Sequence, residues 1–198
     1  GNVVAYSFHC ALPLTSGDGC MFATNVAHSL QRVLPLSNHG RARGQTKQFW
    51  PDLIGFKYKM SNLQAAIGCA QMERIDKLIS RKNEIMSIYR HHLTVLPGIN
   101  LNPETEGIIN GAWMPTVVFK AETGITREKL QVVFAEENVD SRVFFWPLSQ
   151  LPMFQPRLLN KNAYSIPSRA LNLPSYHDIS NDELTRVIRI LKNVMFYD

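Results

Sequence analysis

Gly55-Phe56-Lys57-Tyr58-Lys59-Met60-Ser61-Asn62-Leu63-Gln64-Ala65-Ala66-Ile67-Gly68 is the stretch on which the fold turns. Ser61 and Gln64 form a capping box, with Ser at the N-cap and Gln three residues inside. Behind them Leu63, Ile67, Ala70, Ile75, Leu78, Ile85, Met86, Tyr89 and Leu93 keep the helical period until Pro97-Gly98. The spacing predicts one long helix. Ala65, Ala66, Gly68 and Ala70 make its first third smooth, which suits close packing. Asp76 and Ser80-Arg81-Lys82 make its middle polar, as where a helix leaves one domain and enters another. The expected division is therefore residues 1–80 and residues 81–198.

On the N-terminal side, residues 3–8 (Val-Val-Ala-Tyr-Ser-Phe) read as a buried β-strand and Met21–Thr24 as a second. Between them Thr15-Ser16-Gly17-Asp18-Gly19 reads as a turn. Residues 26–34 have helical spacing that is expected to stop at Pro35. Residues 36–60 show no period, and a loop of that length is usually functional or disordered. Phe49, Trp50, Phe56 and Tyr58 argue against disorder. An opening on a core strand at the second residue is the expected look of a piece of something longer.

On the C-terminal side the pattern becomes α+β. Strands are expected at 99–101, 113–121 and 139–145, and helices at 127–137 and 163–171. A last amphipathic helix follows a second capping box, Ser180-Asn181-Asp182-Glu183. Residues 146–157 hold three prolines and read as loop.

The composition narrows the class. The chain has 198 residues, 45% of them hydrophobic and only 19% charged, a globular balance with apolar surface to spare. Its net charge of +5 comes from scattered basic residues, so a nucleic-acid reading rests on the pI of 9.2 alone. The densest basic cluster is His39-Gly40-Arg41-Ala42-Arg43-Gly44-Gln45-Thr46-Lys47, either a solvated loop or one that contacts phosphate. Three unpatterned cysteines fit a reducing cytoplasm. His9, Cys10 and Cys20 match no standard metal-ligand spacing. No apolar run reaches membrane-spanning length.

Several blocks carry a resemblance. Residues 7–21 (Ser-Phe-His-Cys-Ala-Leu-Pro-Leu-Thr-Ser-Gly-Asp-Gly-Cys-Met) are similar to the pattern S-F-x-x-x-K-x-[LI]-x-x-G-[ED]-G-G-M of the DegT/DnrJ/EryC1/StrS family of sugar aminotransferases. Asn38-His39-Gly40, Gly55 to Gly68, Gln71-Met72-Glu73-Arg74-Ile75, Ser141 to Leu148 and Leu173-Pro174-Ser175 resemble its later blocks in order. The C-terminal blocks look most like the perosamine synthase branch. The resemblance implies the second half of a fold-type I enzyme: the end of the large domain, the long linking helix and a small α+β domain. It implies pyridoxal 5'-phosphate as cofactor. It implies amino transfer from glutamate to a GDP-linked 4-keto-6-deoxy sugar for lipopolysaccharide O-antigen. A dimer, or a complementing N-terminal half, is the implied partner.

The same resemblance assigns positions. The family's Schiff-base lysine falls at Leu12, which has no amine, so the expectation is no covalent cofactor and no transfer by this chain as it stands. Ala11, Pro13 and Cys20 also depart from the pattern. Ser7 matches a cofactor-phosphate contact. Lys57 stands where relatives carry an Asn that reaches the phosphate of the partner subunit. His9, Arg41, Arg43, Phe144 and Trp146 are candidate substrate contacts; Phe145 lies between the last two. The alternative reading is a non-catalytic dimerisation or sugar-nucleotide-binding module.

Overall fold

Residues 2–196 are described by a computed structural model. Their packing divides the chain into two compact units, residues 1–78 and 79–198.

The first unit begins with a hairpin. β1 (Val3–Ser7) pairs antiparallel with β2 (Cys20–Thr24), Ser7 opposite Cys20. The Phe8 N–H to Gly19 carbonyl bond, 3.0 Å, carries the ladder one step further. The strands form as expected, but β1 is exposed along its whole length rather than buried. No third strand pairs with the ribbon among the described residues. A two-stranded ribbon has no interior of its own, and its stability in water is marginal.

α1 (Ala27–Ser37) follows. It passes through Pro35 instead of stopping there. Proline removes one backbone donor, and so near the helix end little intrahelical bonding is lost. The Pro35 carbonyl accepts from both Asn38 and Gly40 and closes the turn.

The expected single helix is two. α2 (Asn62–Met72) ends at Glu73-Arg74, where the Arg74 N–H bonds back three residues to Gln71, a tighter turn that breaks the α-helical ladder. α3 (Ile75–Leu93) then starts and crosses the division between the units. The capping box at Ser61 is present in full. The small residues of α2 are not packed away, since Ala65, Ala66 and Ala70 are exposed.

The second unit has a true core. β3 (Ile99–Leu101), β4 (Thr116–Phe119), β5 (Arg142–Val143) and β6 (Ala170–Asn172) form an antiparallel sheet in the order β3-β4-β6-β5. α3 contributes Ile85, Met86, Tyr89 and Leu93, one stripe at helical spacing. α4 (Arg127–Glu136) adds Leu130 and Phe134. α6 (Asn181–Phe196) adds Leu184, Val187, Ile188, Leu191 and Val194. α4 ends on a left-handed residue, Asn138, with Val139 bonding back to Phe134 and Asn138 to Ala135, a Schellman closure.

Three expectations fail in this unit. The strand expected at 113–121 shrinks to β4, and the one at 139–145 shrinks to the two residues of β5. The expected helix 163–171 is three pieces: α5 (Lys161–Ser165), a 3-10 turn Ile166–Arg169, and β6. Pro167 sits at the start of the 3-10 turn, and the three fully buried residues after it complete the sheet between β4 and β5. Buried backbone groups there need ladder partners that a helix would not supply. Inside the sheet Asn172 accepts from the Thr116 hydroxyl at 2.8 Å and donates to the Val143 carbonyl at 3.0 Å.

The segment after β6 is strapped to α3. Arg81 donates to the carbonyls of His177 and Ile179, Lys82 to that of Ser175, and the Tyr89 hydroxyl to that of Pro174 at 2.7 Å. Burial pushes the Lys82 ammonium below its usual value. Burial, with Tyr176 nearby, pushes the Tyr89 phenol up.

The α6 cap rests on a carboxylate. Glu183 accepts from the Tyr176 hydroxyl at 2.6 Å and from the Ser180 N–H and hydroxyl. These bonds, that to Tyr176 first, hold its carboxyl below the usual range. A depressed carboxyl stabilises the fold above the unfolded value, about 4.3 for glutamate, and that contribution is lost as pH falls through the folded value. Glu183→Gln should therefore lower the melting temperature at neutral pH and flatten its acid-side slope. A pH series of melting curves with slopes equal to wild type would refute the role.

Candidate functional site

The residues that follow β1 build a turn held by backbone and side-chain hydrogen bonds. The Phe8 carbonyl accepts from the Ser16 N–H at 3.1 Å and from the Thr15 hydroxyl at 3.0 Å. Gly17 and Gly19 take positive φ, +81° and +120°, which L side chains rarely adopt. Ser16, buried, donates its hydroxyl to the Asp18 carbonyl at 2.6 Å. The same carbonyl accepts from the Gln64 amide at 3.3 Å. Gln64 belongs to the capping box, so the α2 start and the turn are one construction.

Ser7 and His9 share this turn. The Ser7 hydroxyl oxygen accepts the His9 N–H at 3.3 Å, which leaves the hydroxyl proton free to donate to an anion. The His9 ring nitrogen accepts from the Ala11 N–H at 3.3 Å, and the Cys10 thiol lies 3.8 Å from the ring. Leu12 is half-buried, its N–H bonded to the His9 carbonyl at 3.0 Å. Its side chain offers no lone pair, and the first lysine in the chain is Lys47. The set fits contact with a phosphate and does not fit covalent attachment of pyridoxal phosphate.

The segment 36–60 has an architecture that its sequence hides. Residues 36–40 run beside 53–59: Phe56 N–H bonds Leu36, Tyr58 and Lys59 bond Ser37, and His39 bonds Phe56. Lys57 forms a bridge with Asn38 and donates its ammonium to the Lys59 carbonyl at 2.6 Å. Arg41 and Arg43 stand exposed on the outer part of this segment. Phe56 and Tyr58 stack with ring centres 5.1 Å apart.

Phe144 and Trp146 belong to the second unit. Phe145 stacks against Trp113 at 6.3 Å and lies edge-on to Phe144 at 6.4 Å. The Arg127 guanidinium covers the Trp146 ring at 4.2 Å. So Ser7, His9 and Leu12 come together in one turn, Lys57 and the arginines in one looped segment, and Phe144 and Trp146 in an aromatic cluster. The sequence reading missed Asp18, Gln64 and Arg127. Gln64 was visible as a cap. Arg127 gave no signal, because its ring partner lies 19 positions away in the chain.

An open depression at the Pro97-Gly98 turn, lined by Lys120, Glu122, Thr123 and Met195, holds none of these residues. Among the described residues no group of three or more His, Cys, Asp or Glu is placed to hold a metal. Among the described residues no helix is long and apolar enough to cross a membrane.

Comparison with known proteins agrees with the resemblance read from the blocks. The GDP-perosamine synthase of Vibrio cholerae is 34% identical over 197 residues, covering 98% of this chain and 53% of that protein. The crystal structure of DesI with its TDP-sugar product superposes with a TM-score of 0.85 at 25% identity, over all of this chain and 50% of that one. The PLP form of the putative sugar aminotransferase Spr1654 from Streptococcus pneumoniae shares the fold, with a TM-score of 0.85 at 19% identity, covering 98% of this chain and 52% of that one. The chain spans about half the length of the curated relatives it matches. Residues 1–192 match the model of one family. This chain therefore belongs to the DegT/DnrJ/EryC1/StrS aminotransferase family.

Proposed function

We propose that this chain is the cofactor-phosphate-contacting and sugar-nucleotide-contacting portion of a nucleotide-sugar aminotransferase, one that moves an amino group from glutamate to a GDP-linked 4-keto-6-deoxy sugar. Residues 1–80 would form the end of its large domain and residues 81–198 its small domain. Ser7 would hold the cofactor phosphate by hydrogen bond, and Lys57 would reach the cofactor phosphate of a partner subunit as a point charge. His9, Arg41, Arg43, Phe144 and Trp146 would contact the sugar nucleotide. Bound pyridoxal phosphate supplies the electron sink for amino transfer.

The observation that carries this reading is the Phe8–Gly19 turn, intact in its hydrogen bonds and tied to α2, with Leu12 where the amine is needed. A leucine there neither links the cofactor nor moves a proton, so the chain does not perform the transfer by itself. The exposed faces of β1 and β2 favour a second reading, a non-catalytic module that docks on a second copy or a complementing chain while keeping the sugar-nucleotide contacts.

Incubation with pyridoxal phosphate, borohydride reduction and intact mass should give no adduct in residues 1–60. Under the same treatment Leu12→Lys should acquire one. A stoichiometric adduct on the unaltered chain within those residues would overturn the inactivity of the turn.

A further inference from the structure

We propose that residues 39–52 form a nucleotide platform in which Phe49 and Trp50 stack on the nucleobase while Arg41 and Arg43 take the diphosphate. It rests on the sugar-nucleotide reading above and adds the residues that would recognise the base.

The shape of this segment is fixed from inside. Asp52 accepts from the Ala42 N–H at 3.2 Å and from the Gln45 side-chain amide at 2.9 Å, and Gln45 in turn accepts from the Lys47 N–H at 2.8 Å. The one carboxylate of the segment is thus engaged with neutral donors. Among the described residues no salt bridge joins Arg41 or Arg43 to a carboxylate, and both are exposed. Their charge is available to an anion, and the guanidinium fork suits phosphate oxygens.

The aromatic residues of the segment do not serve a core. Phe49 is 82% exposed and holds a left-handed backbone, φ +58°, which is unusual for a bulky residue. Trp50 is 51% exposed, with the Lys47 ammonium 3.2 Å from its ring centre. Lys47 covers one face of the ring and adds positive charge beside it, while the residue as a whole stays exposed. Two exposed aromatic residues within nine positions of two guanidinium groups free of carboxylate partners suit a flat, anionic ligand.

A nucleoside diphosphate has that chemistry in one molecule. Single-stranded RNA shares it, but tracking a strand takes a basic groove several nucleotides long. The other basic residues of this chain are scattered, so the segment matches one nucleotide.

The test is calorimetric titration of the chain with GDP, inorganic pyrophosphate and a single-stranded ten-nucleotide RNA. The Phe49→Ala/Trp50→Ala double variant should bind GDP at least about tenfold more weakly, a loss set by base–aromatic stacking, and pyrophosphate as the unaltered chain does. Trp50→Phe should keep most of the GDP affinity, which separates stacking from folding. Arg41→Ala/Arg43→Ala should weaken both ligands. Undiminished GDP binding by the aromatic double variant would sink the platform and leave the sugar-nucleotide reading standing. Failure of the unaltered chain to bind GDP would sink both. RNA binding tighter than GDP, with steep salt dependence, would replace the nucleotide by a nucleic acid.

Discussion

Phe119→Ala should destabilise the second unit by about 3–5 kcal/mol, the range for deleting a buried phenylalanine ring. Phe119 lies in β4 with no exposed surface, paired in register with Ile99. It belongs to the cluster that joins α3, α4 and α6 to the sheet. The site has little room to collapse, because the β4 backbone is held from both edges by β3 and β6. The Phe119 carbonyl also accepts from the Arg169 guanidinium, which pins the chain at this point. The ring therefore leaves a cavity rather than a gap that neighbours fill. Urea denaturation should show the loss in the midpoint, with the denaturant slope unchanged. Ile109→Ala is the control. Its side chain is 92% exposed, and its effect should stay within about 0.5 kcal/mol. Similar midpoints for the two variants would mean that the buried cluster does not carry the stability assigned to it.

Legibility followed the length of the signal. α6 and the core stripe of α3 were readable because a capping box or a sustained 3.6 period spans three turns or more. The split at Glu73-Arg74 was not readable, since the apolar period runs straight through it and only a local change in hydrogen bonding marks it. β6 was invisible for the opposite reason. Three residues cannot show a period of two, and Ala170-Leu171 also suits the end of a helix. Burial misled at β1: Val3, Val4 and Tyr6 have the composition of a core strand, yet all three stay exposed. A core-like strand left bare suits a chain that spans half the length of its relatives.

The candidate site divided the same way. Leu12 stood out because one position in an otherwise matching block lacked the needed chemistry. The basic cluster at 39–47 was also plain. What it is built against was not. Backbone-to-backbone bonds leave no trace in side-chain type, except where the chains come too close for a Cβ. Gly40 and Gly55 are that exception, and they locate the base of the loop.

Gly40→Ala should abolish the ordered form of residues 39–59. Gly40 has φ +74°, and a Cβ there would sit 1.7 Å from the Leu53 carbonyl oxygen and 2.8 Å from the Leu53 carbonyl carbon. Both contacts are backbone, so no side chain can swing away to relieve them. The crossing is reciprocal, since a Cβ on Gly55 would sit 2.1 Å from the Gly40 nitrogen. Gly40 also donates to the Pro35 carbonyl and accepts from Asp52 and Leu53, so displacing it unties α1 from the loop. Positive φ alone costs an alanine about 1–3 kcal/mol, and the clash adds to that. Gly44→Ala separates the two terms. Gly44 has φ +85° with nothing within 4 Å of an added Cβ, so it carries the strain without the collision. Hydrogen exchange is the direct readout. Gly40→Ala should remove protection at the Asp52, Phe56 and Tyr58 amides and leave the core amides of the second unit untouched. Gly44→Ala should keep most of that protection. Retained protection in Gly40→Ala would mean that the close crossing does not hold the loop. Loss in both variants would mean that backbone strain, rather than the collision, decides its order.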